Sequence, residues 1–275
     1  MNWLKSTWGQ LNERPRRALY LLFALCLVTY LATIPLPRVD GMLIGSDGIG
    51  YYMYVRSLVI DHDLDFANEY ARLCPTIDVA QLRTATGLVG NQYAIGPGIL
   101  WSPFFVAAHL IVLGLQHIGL RVVADGYGYA YQAAVCVGSI VYGSLGLLLI
   151  HRVMGRYYAQ TALAAAVLAC LATNVIYYLI AEPSVSHMCS LFAVALLLDV
   201  WTRSRPAFCA RRCLEIGLVG GLVGIVRQPD ATLLAILVML ALVLCCCVTA
   251  LLGAGVAWYD GAYRRASDEV AIDCR

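Results

Sequence analysis

Residues 18–36 read ALYLLFALCLVTYLATIPL and contain no charged side chain. A helix of this length and composition can cross the hydrocarbon core of a bilayer, which needs about 20 apolar residues. Residues 1–17, which come before it, are polar and basic, and no small-residue cleavage site follows it. The pattern is therefore typical of an uncleaved signal anchor that also forms the first membrane span.

The composition indicates that this first segment is one of several. The 275 residues are 61% hydrophobic and 13% charged, whereas soluble domains have about 45–50% and about 25%. Each backbone amide in hydrocarbon must be satisfied within its own segment, which predicts helices rather than irregular structure. The expected fold class is all-α, a polytopic transmembrane helical bundle, whose further apolar segments are 94–115, 127–150, 161–180, 188–201, 214–226 and 231–256.

Basic residues in short loops predict the orientation, because Lys and Arg concentrate on the cytoplasmic side. They cluster in residues 1–17, 151–156, 203–212 and 257–275. If every apolar segment crossed the membrane, two of these clusters would lie outside. We therefore predict that 94–115, which contains Pro103, is a re-entrant or interfacial helix.

The resulting organisation is a single membrane domain over residues 1–275 in a multi-pass protein with a cytoplasmic N-terminus. Its predicted parts are a cytoplasmic tail (1–17), a first span (18–36), a large outer loop with membrane-surface helices (37–126), further spans (127–256) and a tail (257–275).

The outer loop opens with an unusual stretch, residues 45–54, which read GSDGIGYYMY. Asp47 has two interpretations. It is either an ordinary turn residue or a carboxylate held just above the membrane, ready to take a proton from an acceptor hydroxyl or to bind a metal ion. Tyr51 and Tyr52 would then offer hydroxyls to a sugar or a phosphate. The spacing of apolar residues over 49–60 predicts an amphipathic helix at the membrane surface.

Two further sites hold ionisable residues between apolar segments. Glu182 and His187 lie between 161–180 and 188–201, and ionisable groups at membrane depth are functional candidates by default. The alternative is a short loop in which a serine caps the following helix. Arg227 is a basic residue on the predicted outer side, although Lys and Arg concentrate on the cytoplasmic side. It is therefore either a membrane anchor or a clamp for a phosphate.

Metal and nucleic-acid functions receive little support. The aspartates at 61, 63 and 65 fail the EF-hand pattern, because Phe66 stands where the turn glycine belongs and Arg72 where the last glutamate belongs. An acidic turn is favoured, and a divalent metal stays open as the only conceivable cofactor. The eleven cysteines fall mostly in apolar runs and form no disulfide framework. The short basic clusters do not suggest nucleic acid.

With these residues in view, the chain resembles the GT-C superfamily of membrane glycosyltransferases, which includes the protein O-mannosyltransferases and the aminoarabinose transferases of lipid A. The resemblance covers residues 10–235. Asp47 matches the acid of the family's first outer loop, although Gly48 follows where relatives usually carry a second acid. Glu182 and Arg227 match positions where relatives often carry an acidic and a basic residue, and 96–98 (Gly-Pro-Gly) replaces a proline pair.

The resemblance implies an inverting sugar transfer in the cell envelope, at the outer face of a bacterial inner membrane. The donor would be a polyprenyl-phosphate sugar, and the acceptor a protein, lipid or glycan. Asp47 would be the general base and Glu182 the second catalytic acid, while Tyr51, Tyr52, His187 and Arg227 would bind substrate. The alternative is a non-catalytic transporter or lipid-handling protein, or an inactive fragment, since related enzymes run to about twice this length.

Overall fold

The computed structural model describes residues 14–38, 41–204, 210–237 and 239. The chain divides into two compact units, Met1–Asp230 and Ala231–Arg275, and the description below concerns the first. Most of the predicted last span (231–256), most of the predicted N-terminal tail (1–17) and all of the predicted C-terminal tail (257–275) lie outside the described residues. The single membrane domain therefore stays a prediction.

Every regular element among the described residues is helical, apart from one isolated antiparallel bridge between Arg83 and Val89. This confirms the predicted all-α class. The α-helices are α1 (Pro15–Thr33), α2 (Gly48–Arg56), α3 (Ala67–Leu73), α4 (Gly96–His117), α5 (Tyr129–Gly155), α6 (Ala162–Leu171), α7 (Val175–Ile180), α8 (His187–Ser204) and α9 (Ala210–Val226). A π-helical turn, Ser57–Asp61, continues α2, and short 3₁₀ turns occupy Val79–Leu82 and Gln228–Asp230.

Three of these helices, α1, α4 and α5, are long and apolar enough to cross a membrane. Their outward faces are apolar as well. Leu21 is 66% exposed on α1, and Ile111 is 63% exposed on α4. A water-soluble protein rarely leaves such large apolar faces uncovered, so the three helices indicate a membrane protein.

The predicted segment 161–180 is not one helix but two, because the chain breaks between α6 and α7. Thr173 explains the break. Its hydroxyl donates to the carbonyl of Ala169 at 2.6 Å and accepts from the amide of Val175 at 3.2 Å. A threonine side chain that bonds to the backbone in this way competes with the helical ladder.

Basic residues gather at one end of the helices. The carboxylate of Asp199 is buried, and three arginines surround it: Arg156 at 2.5 Å, Arg203 at 2.8 Å and Arg152 at 3.4 Å. The ends of α5 and α8 therefore lie together, and we call this the basic end. Arg16, in the first turn of α1, lines the same groove as Arg152.

The opposite end, which we call the loop end, carries residues 41–48 and 181–187. Helix α8 runs from there to the basic end over 18 residues, or about 27 Å at 1.5 Å per residue. The segment after α1 reaches the start of α5, where the amide of Leu43 donates to Oε1 of Gln132 at 2.7 Å.

Helix α4 packs along the half of α5 that is farther from the basic end. The indole of Trp101 donates to Ser139 at 2.8 Å, and His109 lies 2.9 Å from the hydroxyl of Tyr131. The helix is long enough to span a membrane, and its re-entrant path stays a prediction.

The helix predicted over 49–60 is present as α2 and its π-helical turn, but it does not rest on a surface. Tyr52, Met53 and Val55 are almost completely buried, and so is Arg56. An arginine can be buried here because Glu69 lies 2.7 Å away and Asp61 also pairs with it. The paired charges let most of the circumference of α2 enter the core, so the helix lacks the exposed polar face predicted for an amphipathic surface helix, although Leu58 of the π-helical turn stays exposed.

Candidate functional site

Two loops that are distant in sequence meet at the loop end. The amide of Gly45 donates to the hydroxyl of Ser184 at 3.2 Å. Gly48 lies so close to Ser184 that a Cβ on it would be 2.5 Å from the Ser184 carbonyl oxygen. Only glycine permits this approach, since real Cβ atoms do not come so near to a backbone atom. Asp47 is therefore held against the loop that carries Glu182 and His187.

This contact predicts that Gly48→Ala will destabilise the protein by about 1–3 kcal/mol, because a methyl group forced into a packed contact displaces the backbone. Gly45→Ala is the matched control, since a Cβ there would meet nothing within 4 Å. Thermal unfolding of both variants in detergent gives the comparison. Equal midpoints for the two variants would mean that the loops are not in close contact.

Asp47 occupies the N-cap position of α2, yet its side chain makes no capping hydrogen bond. The hydroxyl of Tyr93 donates to Oδ1 of Asp47 at 3.2 Å. Burial raises the pKa of Tyr93, and the charge of Asp47 adds to the rise, so this hydroxyl stays protonated and remains a donor. Asp47 does lie in a turn, and the preceding Ser46 has a φ of 52°. Its carboxylate is nevertheless exposed and makes no hydrogen bond that caps α2.

His187 lies at the centre of the candidate site, just before the predicted span 188–201. Its ring stacks on Tyr178 with centroids 4.1 Å apart. Burial lowers the pKa of His187, and the charge of Arg227 lowers it further, whereas Asp230, Asp47 and Glu182 oppose the change. The imidazole is consequently neutral at pH 7, with one N–H donor and one acceptor nitrogen. Geometry brings the other predicted residues to the same end: Gly48 abuts Ser184, and Asp230, 3.8 Å from Arg227, accepts from Ser190 in the first turn of α8.

Arg227 follows the end of α9, and among the described residues its side chain has one ion pair. Its guanidinium lies 3.8 Å from the carboxylate of Asp230, which is too long for a hydrogen bond. The side chain is 40% exposed. Asp230 itself accepts a short hydrogen bond from Ser190. A guanidinium with a distant counter-ion and exposed donors can bind an anion such as a phosphate.

A cleft of about 570 Å³ opens beside His187. One part of its lining is polar, from Asn174, Ser190 and Asp230, and another part is apolar. The apolar part includes Leu191 and Val194 along α8. The cleft therefore suits a ligand with a polar head and a hydrocarbon tail. Asp47, Glu182 and Arg227 do not line it.

Glu182 is half-buried and accepts a hydrogen bond at 3.1 Å from Tyr177, a residue with an exposed side chain. This partner comes from α7, so the carboxylate is tied to its own side of the loop. The arrangement leaves the other carboxylate oxygen without a described hydrogen bond, and the group can accept from a hydroxyl ligand.

The two predicted tyrosines differ in position. The hydroxyl of Tyr51 accepts from Ser186 at 3.2 Å and so reaches the loop that carries Glu182 and His187. Tyr52 is completely buried, and its hydroxyl donates to the carbonyl of Gly126. The structure thus places Tyr51 beside the candidate site and Tyr52 in the core, away from it.

Three residues to which the sequence assigned no individual role also contribute: Asp230, Tyr93 and Tyr178. Asp230 is an acid between two apolar segments, so the rule that selected Glu182 applies equally to it. The tyrosines carried no comparable signal. Among the described residues, no three His, Cys, Asp or Glu side chains are grouped to hold a metal ion, and we assign no metal site.

No protein-family model, curated protein or solved structure matches the chain. Its function is therefore argued from the geometry of the candidate site.

Proposed function

We propose that this protein is an integral membrane glycosyltransferase that moves a sugar from a polyprenyl-phosphate donor to an acceptor hydroxyl at the outer face of the membrane. The observation that carries the proposal is that the loops of Asp47, Glu182 and Arg227 meet at the start of α8, where His187 lines a cleft with polar and apolar parts.

The distribution of charge supports an orientation with the basic end in the cytoplasm. Basic residues concentrate on the cytoplasmic side of membrane proteins, and Arg16, Arg152 and Arg203 all lie at the basic end. The loop end then faces outward, as expected for a multi-pass protein of a bacterial inner membrane with a cytoplasmic N-terminus. Helix α4 packs on the outer half of α5 in this arrangement, in agreement with a re-entrant path.

In the proposed complex the donor occupies this cleft. The polyprenyl chain lies along Leu191 and Val194, and the phosphate lies near Arg227 and the neutral imidazole of His187. The sugar extends from the phosphate toward Asp47. Donors aimed at the phosphate stabilise the negative charge that develops as the sugar departs.

The reaction proposed for this arrangement is a single displacement with inversion at the anomeric carbon. Asp47 removes the proton of the acceptor hydroxyl, whose oxygen forms a bond to the anomeric carbon. The bond from that carbon to the phosphate oxygen breaks, and polyprenyl phosphate leaves with the electron pair. Glu182 orients the acceptor by accepting a hydrogen bond from a second hydroxyl. The proton remains on Asp47 until water removes it.

Arg227→Gln tests the donor site. We expect the variant to bind donor about 10- to 100-fold more weakly, because a charge-assisted hydrogen bond contributes about 1.5–3 kcal/mol. Capture of a photoreactive undecaprenyl-phosphate mannose by the purified protein in nanodiscs measures this binding. Arg212→Gln is the matched control, since Arg212 lies near the other end of α9 and pairs with Glu215 at 2.9 Å.

Two outcomes would overturn the proposal. Equal capture by Arg227→Gln and the wild type would remove the phosphate clamp. Normal capture without any release of labelled mannose from the lipid, in membranes that contain endogenous acceptors, would favour a lipid-handling protein instead of an enzyme.

A further inference from the structure

A second groove, of about 620 Å³, lies at the basic end. It is formed by the start of α1, the end of α5 and the middle of α8, and it shares no lining residue with the cleft beside His187. Its polar lining comes from Arg16, His151 and Arg152, whereas Leu148 and Leu196 belong to its apolar lining. Cationic and apolar surfaces therefore meet within one groove between helices.

Among the described residues, the cationic groups around this groove outnumber the acidic groups that pair with them. Asp199 is one negative charge among three arginines, and its two shorter ion pairs are made by Arg156 and Arg203. The side chain of Arg152 remains 56% exposed, and its Nε lies 3.4 Å from Asp199. Arg16 has no ion pair among the described residues.

A buried polar atom at the same groove also lacks a partner. Nδ1 of His151 is inaccessible to solvent and has no hydrogen-bond partner among the described residues. Buried polar groups of proteins are nearly always paired, but this nitrogen is closed off from the groove, so the ligand is inferred from Arg16 and Arg152, which line it.

We propose that this groove binds one anionic phospholipid from the leaflet at the basic end. The headgroup phosphate is held between Arg16 and Arg152, and an acyl chain lies along Leu148 and Leu196. Basic pockets between helices on the cytoplasmic side suit anionic lipid headgroups. A free phosphate ion would leave the apolar lining unused, which is why a lipid fits the groove better.

Native mass spectrometry of the full chain in non-ionic detergent tests the proposal, with dioleoyl phosphatidylglycerol as probe and dioleoyl phosphatidylcholine as the neutral comparison. We expect the wild type to bind phosphatidylglycerol in preference to phosphatidylcholine. Arg16→Gln should weaken phosphatidylglycerol binding about fivefold, and Arg16→Gln with Arg152→Gln about thirtyfold, given the attraction of one basic side chain to an anionic surface.

Arg17→Gln is the matched control, because it removes the same charge from the adjacent residue, which does not line the groove. It should leave binding unchanged. Equal weakening by Arg17→Gln and Arg16→Gln would overturn the proposal in favour of general electrostatic attraction. Full affinity in Arg16→Gln would also overturn it, and this single variant keeps the test independent of the Asp199 cluster if Arg152→Gln fails to fold. Displacement of the lipid by millimolar inorganic phosphate would show a phosphate site instead.

Discussion

Asp47→Asn is expected to lower the rate of sugar transfer by about 100- to 10,000-fold, the range for removal of a general base. Asparagine keeps the shape of the side chain and an oxygen that can accept from Tyr93, which donates to Oδ1 of Asp47 at 3.2 Å. It cannot take a proton at neutral pH. Because the carboxylate is exposed and caps no helix, its loss should leave folding and donor capture intact. Transfer of labelled mannose from undecaprenyl phosphate to membrane acceptors measures the effect.

Asp78→Asn is the control for this experiment. Asp78 is another exposed acid in the segment 37–126, and it caps a short 3₁₀ turn by accepting from the amide of Ala80 at 3.0 Å. Its replacement should leave transfer unchanged. Tyr93→Phe separates positioning from chemistry: loss of one hydrogen bond to Asp47 should reduce transfer only severalfold. Normal transfer by Asp47→Asn would end the assignment of Asp47 as base, even if donor capture still depended on Arg227.

The sequence predicted where the long helices lie, but it did not predict the break between α6 and α7 or the burial of α2. Long apolar runs identify helices because unpaired amides are too costly in hydrocarbon, and α1, α4 and α5 appear close to where they were expected. The break between α6 and α7 depends on one hydroxyl, that of Thr173, bonding to the backbone. The burial of α2 depends on Glu69, which is 13 residues from Arg56. Neither the hydrogen bonds of Thr173 nor the pairing of Arg56 with Glu69 produces a periodic pattern in the sequence.

In the candidate site, too, the sequence identified individual residues but not the contacts that bring them together. Glu182, His187 and Arg227 were identified because ionisable residues between apolar segments are rare. Their convergence on Asp47 required a contact between Gly45 and Ser184, which are 139 residues apart, and no spacing rule reports such a contact. Tyr51 and Tyr52 looked equivalent in sequence, but consecutive residues of a helix point about 100° apart. One of them therefore faces the 181–187 loop and the other faces the core.

The second large effect is expected from the buried ion pair of Arg56 and Glu69. Glu69 is completely inaccessible to solvent, and its carboxylate lies 2.7 Å from the guanidinium of Arg56. Arg56 also donates to the carbonyl of Asp125 at 3.0 Å and lies 4.2 Å from the Tyr127 ring. Burial alone would lower the pKa of Arg56, but the hydrogen bond and charge of Glu69 raise it. The guanidinium therefore stays charged inside the core.

Glu69→Ala should destabilise the protein by about 3 kcal/mol, because breaking a buried pair leaves a charge without its partner. The expected value is at the lower end of the usual range, since Asp61 remains beside Arg56. For a chain of this size the midpoint of thermal unfolding should fall by about 6–12 °C. Differential scanning fluorimetry in detergent measures the midpoint. The dye reacts with cysteines that are buried in the folded protein and become exposed on unfolding.

The double variant Arg56→Met with Glu69→Leu, compared with Glu69→Leu alone, distinguishes a buried charge from simple loss of packing, because both keep the volume of residue 69. Replacing both partners by apolar residues of similar size removes the charge left without Glu69, and such replacements are often neutral or stabilising, while the partly exposed Asp61 keeps its hydrogen bond from Asn68. The double variant should therefore unfold at a higher temperature than Glu69→Leu. Glu215→Ala breaks the exposed pairs with Arg211 and Arg212, and it should leave the midpoint nearly unchanged. If the double variant were no more stable than Glu69→Leu, an unpaired buried charge would not be the cause of the instability.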